Sequence, residues 1–233
     1  MTIEISSSDN IHIIRMKDGA ENRFNRGLLD DLNRALDQIE ANPDATGLVI
    51  TGDGKFFSNG LDLGWVMGQS KADALDFFLD FNAFLRRVLI FPTPVVAAVN
   101  GHAFAGGLFF ALCADWRVMR SDRGWLSFPE ITLGIDLPPG SVALVNHVVG
   151  ARKTDLLFLT ARRLVGPDAL NMGLVDTLTE EADLLPKALE VARDLATKPR
   201  AKFADHKRQL RAHPARVMAE EDEPFVMAMW GKK

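Results

Sequence analysis

The chain has 233 residues, enough for one well-buried domain with room for a small appendage. Hydrophobic residues make up 47% and charged residues 25%, the ordinary globular range. A net charge of −4 supplies no basic excess for nucleic acid or an anionic membrane, and a single cysteine, Cys113, excludes an intramolecular disulfide.

In chain order, residues 2–6 and 11–16 read as short strands joined by a Ser-Ser-Asp-Asn turn. Leu28, Leu29, Leu32, Ala35, Leu36 and Ile39 then recur at helical spacing, and Asn42-Pro43-Asp44 ends that helix. Residues 47–51 form a buried-type strand, followed by a loop, GDGKFFSNG. Residues 71–90 form a second helix, one face marked by Leu75, Phe78, Leu79, Asn82 and Leu85. Residues 94–99 are another buried strand, broken by Asn100-Gly101, and AGGLFFALC starts a helix. Residues 115–120 return as a strand, and the next stretch is broken by Pro129, Gly134, Pro138 and Pro139. Helices dominate from Gly140 to about Ala219, interrupted at 172–178. This order predicts a layered α/β core followed by a helical cap or oligomer element.

Val95 to Ala114 carries no Asp, Glu, Lys or Arg. Asn100, Gly101, His102, Gly106 and Gly107 inside it favour strand, turn and buried helix over a membrane span. Cys113 in this run reads as a small buried hydrophobe. The acidic N-terminus lacks a cationic-then-apolar signal, and the C-terminal MWGKK is not an SKL-type address, so a cytoplasmic location is expected.

Three segments join a strand-like run to a helix start through glycine: 56–63 (FFSNGLDL), 100–115 (NGHAFAGGLFFALCAD) and 127–140 (SFPEITLGIDLPPG). Such junctions leave backbone N–H groups unpaired and suit negative charge. Singly, each has an ordinary reading: an Asn-Gly turn, close packing at Gly106-Gly107, and a carboxylate at a helix N-terminus for Glu130.

Together they resemble the crotonase (enoyl-CoA hydratase/isomerase) superfamily. Phe57-Ser58-Asn59-Gly60-Leu61-Asp62-Leu63 matches its first loop. Asn100 through Gly106-Gly107 matches the second, and Pro129-Glu130-Ile131-Thr132-Leu133-Gly134 the third. Ala161-Arg162-Arg163-Leu164 and Gly173-Leu174-Val175-Asp176 match a later run. The resemblance implies an α/β crotonase spiral of ββα units over residues 1–185. A helical C-terminal region over 186–233 would serve as cap or oligomer element, in a homotrimer or a hexamer. It further implies an oxyanion hole made by the backbone N–H groups of Leu61 and Gly106. CoA contacts would fall at Arg23, Phe24, Ser58, Asn59, Gly60 and Asp62, with Phe109 lining the substrate site. The expected partner is an acyl-CoA, coenzyme A being part of the substrate rather than a cofactor.

Family hydratases carry a second glutamate three residues after the second oxyanion glycine. Here that position is Phe109, which cannot position water or move a proton. Family Δ3,Δ2-enoyl-CoA isomerases keep only the glutamate that matches Glu130, and the segments around 55–63 and 121–140 are most similar to the plant peroxisomal isomerases. The resemblance therefore implies an isomerase with Glu130 as its single base; the alternatives are another acyl-CoA reaction of the family or a non-catalytic CoA-binding scaffold. Phe109, with Phe104 and Phe110, would dry the pocket and raise the Glu130 pKa. Asp136 is the candidate second acid, otherwise a turn residue. His102 reads as structural. No HxxxH or HExxH spacing occurs, so no metal is expected. The basic run 198–216 reads as a solvated face, with Lys207 or Arg208 reaching a CoA phosphate. Phe225, Met227, Met229 and Trp230 read as an interface or a local cover.

Overall fold

Two residues that tolerate left-handed backbone open the fold. Asp9 and Asn10 sit at φ 50° and 64° and close a two-residue hairpin between β1 (Ile3–Ser8) and β2 (Ile11–Met16). The turn is shorter than the sequence predicts, because the strand continues through Ser7 and Ser8. Asn25 caps α1 (Arg26–Ala41) by accepting the Leu28 amide, and the six predicted apolar residues form its buried stripe. The computed structural model describes residues 1–231, and the Trp230 side chain lies outside the described set.

Three successive units follow. The first is β3 (Gly47–Gly52), β4 (Phe56–Ser58), α2 (Leu63–Met67) and α3 (Lys71–Leu89). The second is β5 (Val95–Val99), β6 (His102–Phe104) and α4 (Gly106–Leu112). The third is β7 (Trp116–Arg120), β8 (Leu126–Ser127) and α5 (Glu130–Leu133). In each unit the first strand enters a six-stranded sheet, ordered β1-β2-β3-β5-β7-β9 with β9 (Thr177–Thr179) at its far edge, and the second enters a three-stranded sheet, β4-β6-β8. Apart from the β1–β2 hairpin, the pairings between these strands are parallel. This is the spiral of ββα units that the family resemblance implies.

The helix α3 shows a shift in phase. Its buried face runs through Phe77, Phe81, Phe84 and Val88, not through Leu75 and Leu79, which are only half-buried. Apolar residues occur at several phases around this helix, so the spacing defines a helix but not which side faces inward.

The remaining helices are α6 (Pro139–Val149), α7 (Ala151–Thr160), α8 (Gly166–Met172), α9 (Leu184–Ala196), α10 (Arg200–Leu210), α11 (Ala212–Glu220) and α12 (Asp222–Gly231), with β9 (Thr177–Thr179) between α8 and α9. Leu184, Ala188 and Ala192 of α9 cover one sheet face, against Ile13, Val49, Val96 and Val118. The other face belongs to the main core, which includes Phe24, Phe57, Phe84 and Phe110. α11 packs on α6 and α3, and α12 on α3. Asp222 accepts the Gly140 amide at 2.6 Å, capping α6 from a distant segment. In α12, Phe225 and Met229 are half-buried and Met227 is exposed. Among the described residues, no helix is long and apolar enough to cross a membrane.

The basic run departs from a solvated face at Lys207 and Arg211. Lys207 is buried, donating to Asp115 at 2.6 Å and to the Thr93 carbonyl at 3.1 Å. Its ammonium group is anchored at the N-terminal ends of β5 and β7 instead of extending from a solvated helix face.

Candidate active site

The three short strands β4, β6 and β8 run parallel, so their C-terminal ends leave the small sheet at one edge. That edge is where open parallel sheets gather functional loops. β4 leads to Gly60-Leu61, the central β6 to Gly106, and β8 to Glu130. The topology thus brings the three segments flagged in the sequence side by side.

The first turn is braced from the N-terminal region. The Phe24 amide donates to the Gly60 carbonyl at 2.8 Å, and the Asp62 amide donates to the Phe24 carbonyl at 2.9 Å. Ser58 Oγ donates to the Asn22 carbonyl and accepts the Gly60 amide, and Asp62 caps α2 through the Trp65 amide. Leu61, between these bonded residues, has an amide with no acceptor among the described residues. Gly60 has φ +79°, and a Cβ there would meet the Gly106 nitrogen at 3.1 Å. The two turns are therefore in contact.

The second turn pivots on Ala105, whose φ 49° and ψ −125° are unfavourable for a residue with a side chain. Its amide donates to the Ser127 carbonyl on β8, and its carbonyl accepts from Leu108 and Phe109. The amide of Gly106, the first residue of α4, lies beyond reach of the helical ladder and finds no acceptor among the described residues. A Cβ on Gly106 would lie 3.0 Å from the Phe81 ring, so glycine keeps this side of the turn open.

Glu130 opens α5, a single turn closed by Gly134 at φ 65°. It is 6% exposed, and its Oε2 has no hydrogen-bond partner among the described residues. Burial pushes its carboxyl up to about 7, only slightly offset by its own backbone amide. No neighbouring charge contributes to that rise. Phe128, two residues before, stacks on Phe109 at 4.7 Å and packs on Phe158 at 4.9 Å. Phe104 and Phe110 have other partners: Phe104 stacks on His102, and Phe110 packs with Phe24 and Phe84 in the core. Phe109 and Phe128 therefore stack on each other beside the segment that carries Glu130, while Phe104 and Phe110 find other aromatic partners.

The other predicted residues divide by exposure. Arg23 and Asn59 both donate to Glu21 Oε2, at 2.6 and 2.8 Å, and the Asn59 bond with the Arg23 charge holds the Glu21 carboxyl below its usual range. The Phe24 ring and Ser58 are wholly buried, so they shape the turn from within. Asp136 is exposed in the turn between α5 and α6. His102 is a packing residue, its Nδ1 accepting the Trp125 amide at 3.1 Å. Sequence reading missed Ala105, Phe128, Phe81 and Glu21. Only the Phe128 position, beside a flagged Pro-Glu pair, carried a local signal.

The enoyl-CoA hydratase/isomerase family profile matches residues 6–223. The chain belongs to the enoyl-CoA hydratase/isomerase family. This crotonase-family chain is 36% identical over 169 residues to an enoyl-CoA delta isomerase 3 of Arabidopsis thaliana, covering 70% of each protein. It is 35% identical over 168 residues to a putative enoyl-CoA hydratase of Thermus thermophilus, covering 71% of this chain and 66% of the relative. Among solved structures, a probable enoyl-CoA hydratase of Mycobacterium tuberculosis superposes with a TM-score of 0.93 at 27% identity, covering 99% and 97% of the two chains. Both reaction names thus occur among proteins similar to this crotonase-family member.

Proposed function

We propose that this enzyme is a Δ3,Δ2-enoyl-CoA isomerase that moves a carbon–carbon double bond along an acyl thioester. The observation that carries this reading is a buried Glu130 with no charged neighbour, in a chain that has Phe109 at the position where a second carboxylate would serve hydration. The Glu130 carboxylate removes a proton from C2. Negative charge then moves to the thioester oxygen, where the Leu61 and Gly106 amides stabilise it more in the transition state than in the ground state. The protonated Glu130 returns the same proton to C4. The reaction is neutral overall and needs no water, which suits the buried setting of Glu130. Coenzyme A arrives as part of the substrate and no separate cofactor takes part. Arg23 and Asn59, on the exposed rim of the first turn, are placed to meet the CoA portion. The C-terminal helices would build a homotrimer or a hexamer.

The decisive experiment supplies 3-enoyl-CoA and 2-enoyl-CoA separately and follows products by mass. Conjugated 2-enoyl-CoA from the first, with negligible water addition to the second, is the expected result. Rapid hydration of 2-enoyl-CoA would replace this reading with a hydratase.

Two further expectations follow from the site. For the free enzyme, kcat/KM should rise with pH and level off above a midpoint near 7, because the base must be ionised and burial raises its carboxyl to about 7. A midpoint near 4.5 would show a solvated carboxylate instead. Asp136→Asn should leave kcat/KM within about threefold, since Asp136 faces solvent. A loss of about a hundredfold or more, the range for a participating acid, would make it the second acid.

A further inference from the structure

At the opposite edge of the large sheet, buried charge is unequally matched. Thr93 precedes β5 and Asp115 precedes β7, so both lie at the N-terminal ends of strands whose far ends lead towards the cleft. The Asp115 carboxylate faces two cations. Lys207 Nζ lies 2.6 Å from Oδ2 and an Arg211 nitrogen 2.9 Å from Oδ1, and Oδ2 also accepts the Val95 amide. The side chains of Lys207, Arg211 and Asp115 are 2%, 13% and 10% exposed. One carboxylate therefore serves two buried cations. Arg117, the nearby third, is already paired with Asp176. The carbonyls of Thr93, Leu89, Cys113 and Ala114 orient Lys207 and Arg211 but carry no full charge. Burial, and then the Arg211 charge, push the Lys207 amine down to about 8 against the pull of Asp115.

These same side chains line an open cavity of about 410 Å³. Lys198, Lys202 and His206 join them on its wall, with Phe203 and Leu210 as an apolar side. Lys198 is held by Asp194, whereas Lys202 and His206 have no hydrogen-bond or ion-pair partner among the described residues. On a chain of net charge −4, this concentration of cations is local and does not follow from composition. Surplus positive charge at the floor, the free Lys202 ammonium at the rim and room for a small molecule are complementary to an anion of more than one charge. Lysine and arginine together favour phosphate oxygens.

We propose that this cavity binds a small multivalent anion of the phosphate or phosphate-ester class, at a site separate from the acyl-CoA cleft. Titration calorimetry at constant ionic strength tests it, with inorganic pyrophosphate and phenyl phosphate as the two probes. One saturable site per chain is expected, with a dissociation constant of roughly 1 mM or tighter. Lys202→Glu should weaken it by at least about tenfold, the effect of placing a like charge against the ligand. Lys202 is exposed, so the variant is expected to fold. Arg23→Glu, beside the cleft, should leave the affinity unchanged. Preference for pyrophosphate points to an inorganic ligand, and preference for phenyl phosphate to an organic ester that also uses Phe203. No saturable binding of either probe would overturn the proposal, as would equal affinity in Lys202→Glu. Loss of binding in Arg23→Glu alone would assign the anion to the cleft and overturn it equally.

Discussion

Glu130→Gln is expected to cut kcat for 3-enoyl-CoA by about 10³- to 10⁴-fold, the upper part of the range for a proton-transfer group, because no second carboxylate stands ready to replace it. The same substitution should make the protein more stable above neutrality. At pH well below 4.5 the carboxyl is protonated both folded and unfolded, and the wild-type protein bears no cost. Between 4.5 and about 7 the unfolded chain ionises while the folded protein holds its proton, so wild-type stability falls as pH rises. Above about 7 the deficit levels off at about 3 kcal/mol, from the difference between the two ionisation points. Glutamine carries no charge and escapes that loss. Urea melts of both proteins at pH 4 and pH 8, beside turnover assays, check both halves. Retained turnover would remove Glu130 from the chemistry. An equal stability difference at both pH values would remove the buried ionisation.

Gly60→Ala is the second large effect, an expected fall of about 10²- to 10³-fold in kcat/KM, carried mainly by kcat. The added methyl would stand 3.0 Å from the Phe104 carbonyl and 3.1 Å from both Ala105 Cβ and the Gly106 nitrogen. It would push apart the two turns whose amides are proposed to hold the thioester oxygen. Left-handed backbone costs an alanine about 1–2 kcal/mol, so some loss of stability comes with it. Gly54→Ala separates the two contributions. Gly54 also has a positive φ, +72°, yet nothing lies within 4 Å of a Cβ built there. It should lose similar stability and keep its activity. Equal activity losses in both variants would mean that general weakening, not separation of the turns, is responsible.

The sequence displays the long elements and hides the short ones. The α1 stripe and the buried strands β3 and β5 have enough residues for a period or an apolar run to stand out. β4, β6 and β8 have two or three residues each, too few for any alternation, and β4 lies inside what reads as a loop. Those three strands nevertheless place the site. Its segments were legible through their glycines and motifs, while the sheet that aligns them became visible only in three dimensions. The partner of Phe109 was equally hidden: Phe128 meets it through the parallel pairing of β6 and β8, not through sequence proximity. Lys207 sits among lysines and arginines that face water, and nothing nearby announces Asp115, 92 residues away. Ala105 carries no mark of its left-handed backbone, because any neighbour-enforced turn can override the preference of a single alanine.

That alanine ties two halves of the chemistry into one mechanical unit. A methylated residue held in glycine territory relaxes as soon as its restraints loosen, and one restraint is the Ser127 carbonyl, three residues ahead of Glu130. Any fluctuation that peels β8 from β6 displaces the acid and releases the neighbouring peptide together. Half-assembled forms, with a poised carboxyl but a collapsed cradle, are thereby kept scarce. Hydrogen exchange at Ala105 and at the Leu126–Ser127 backbone should accordingly proceed through a shared opening event rather than two independent ones.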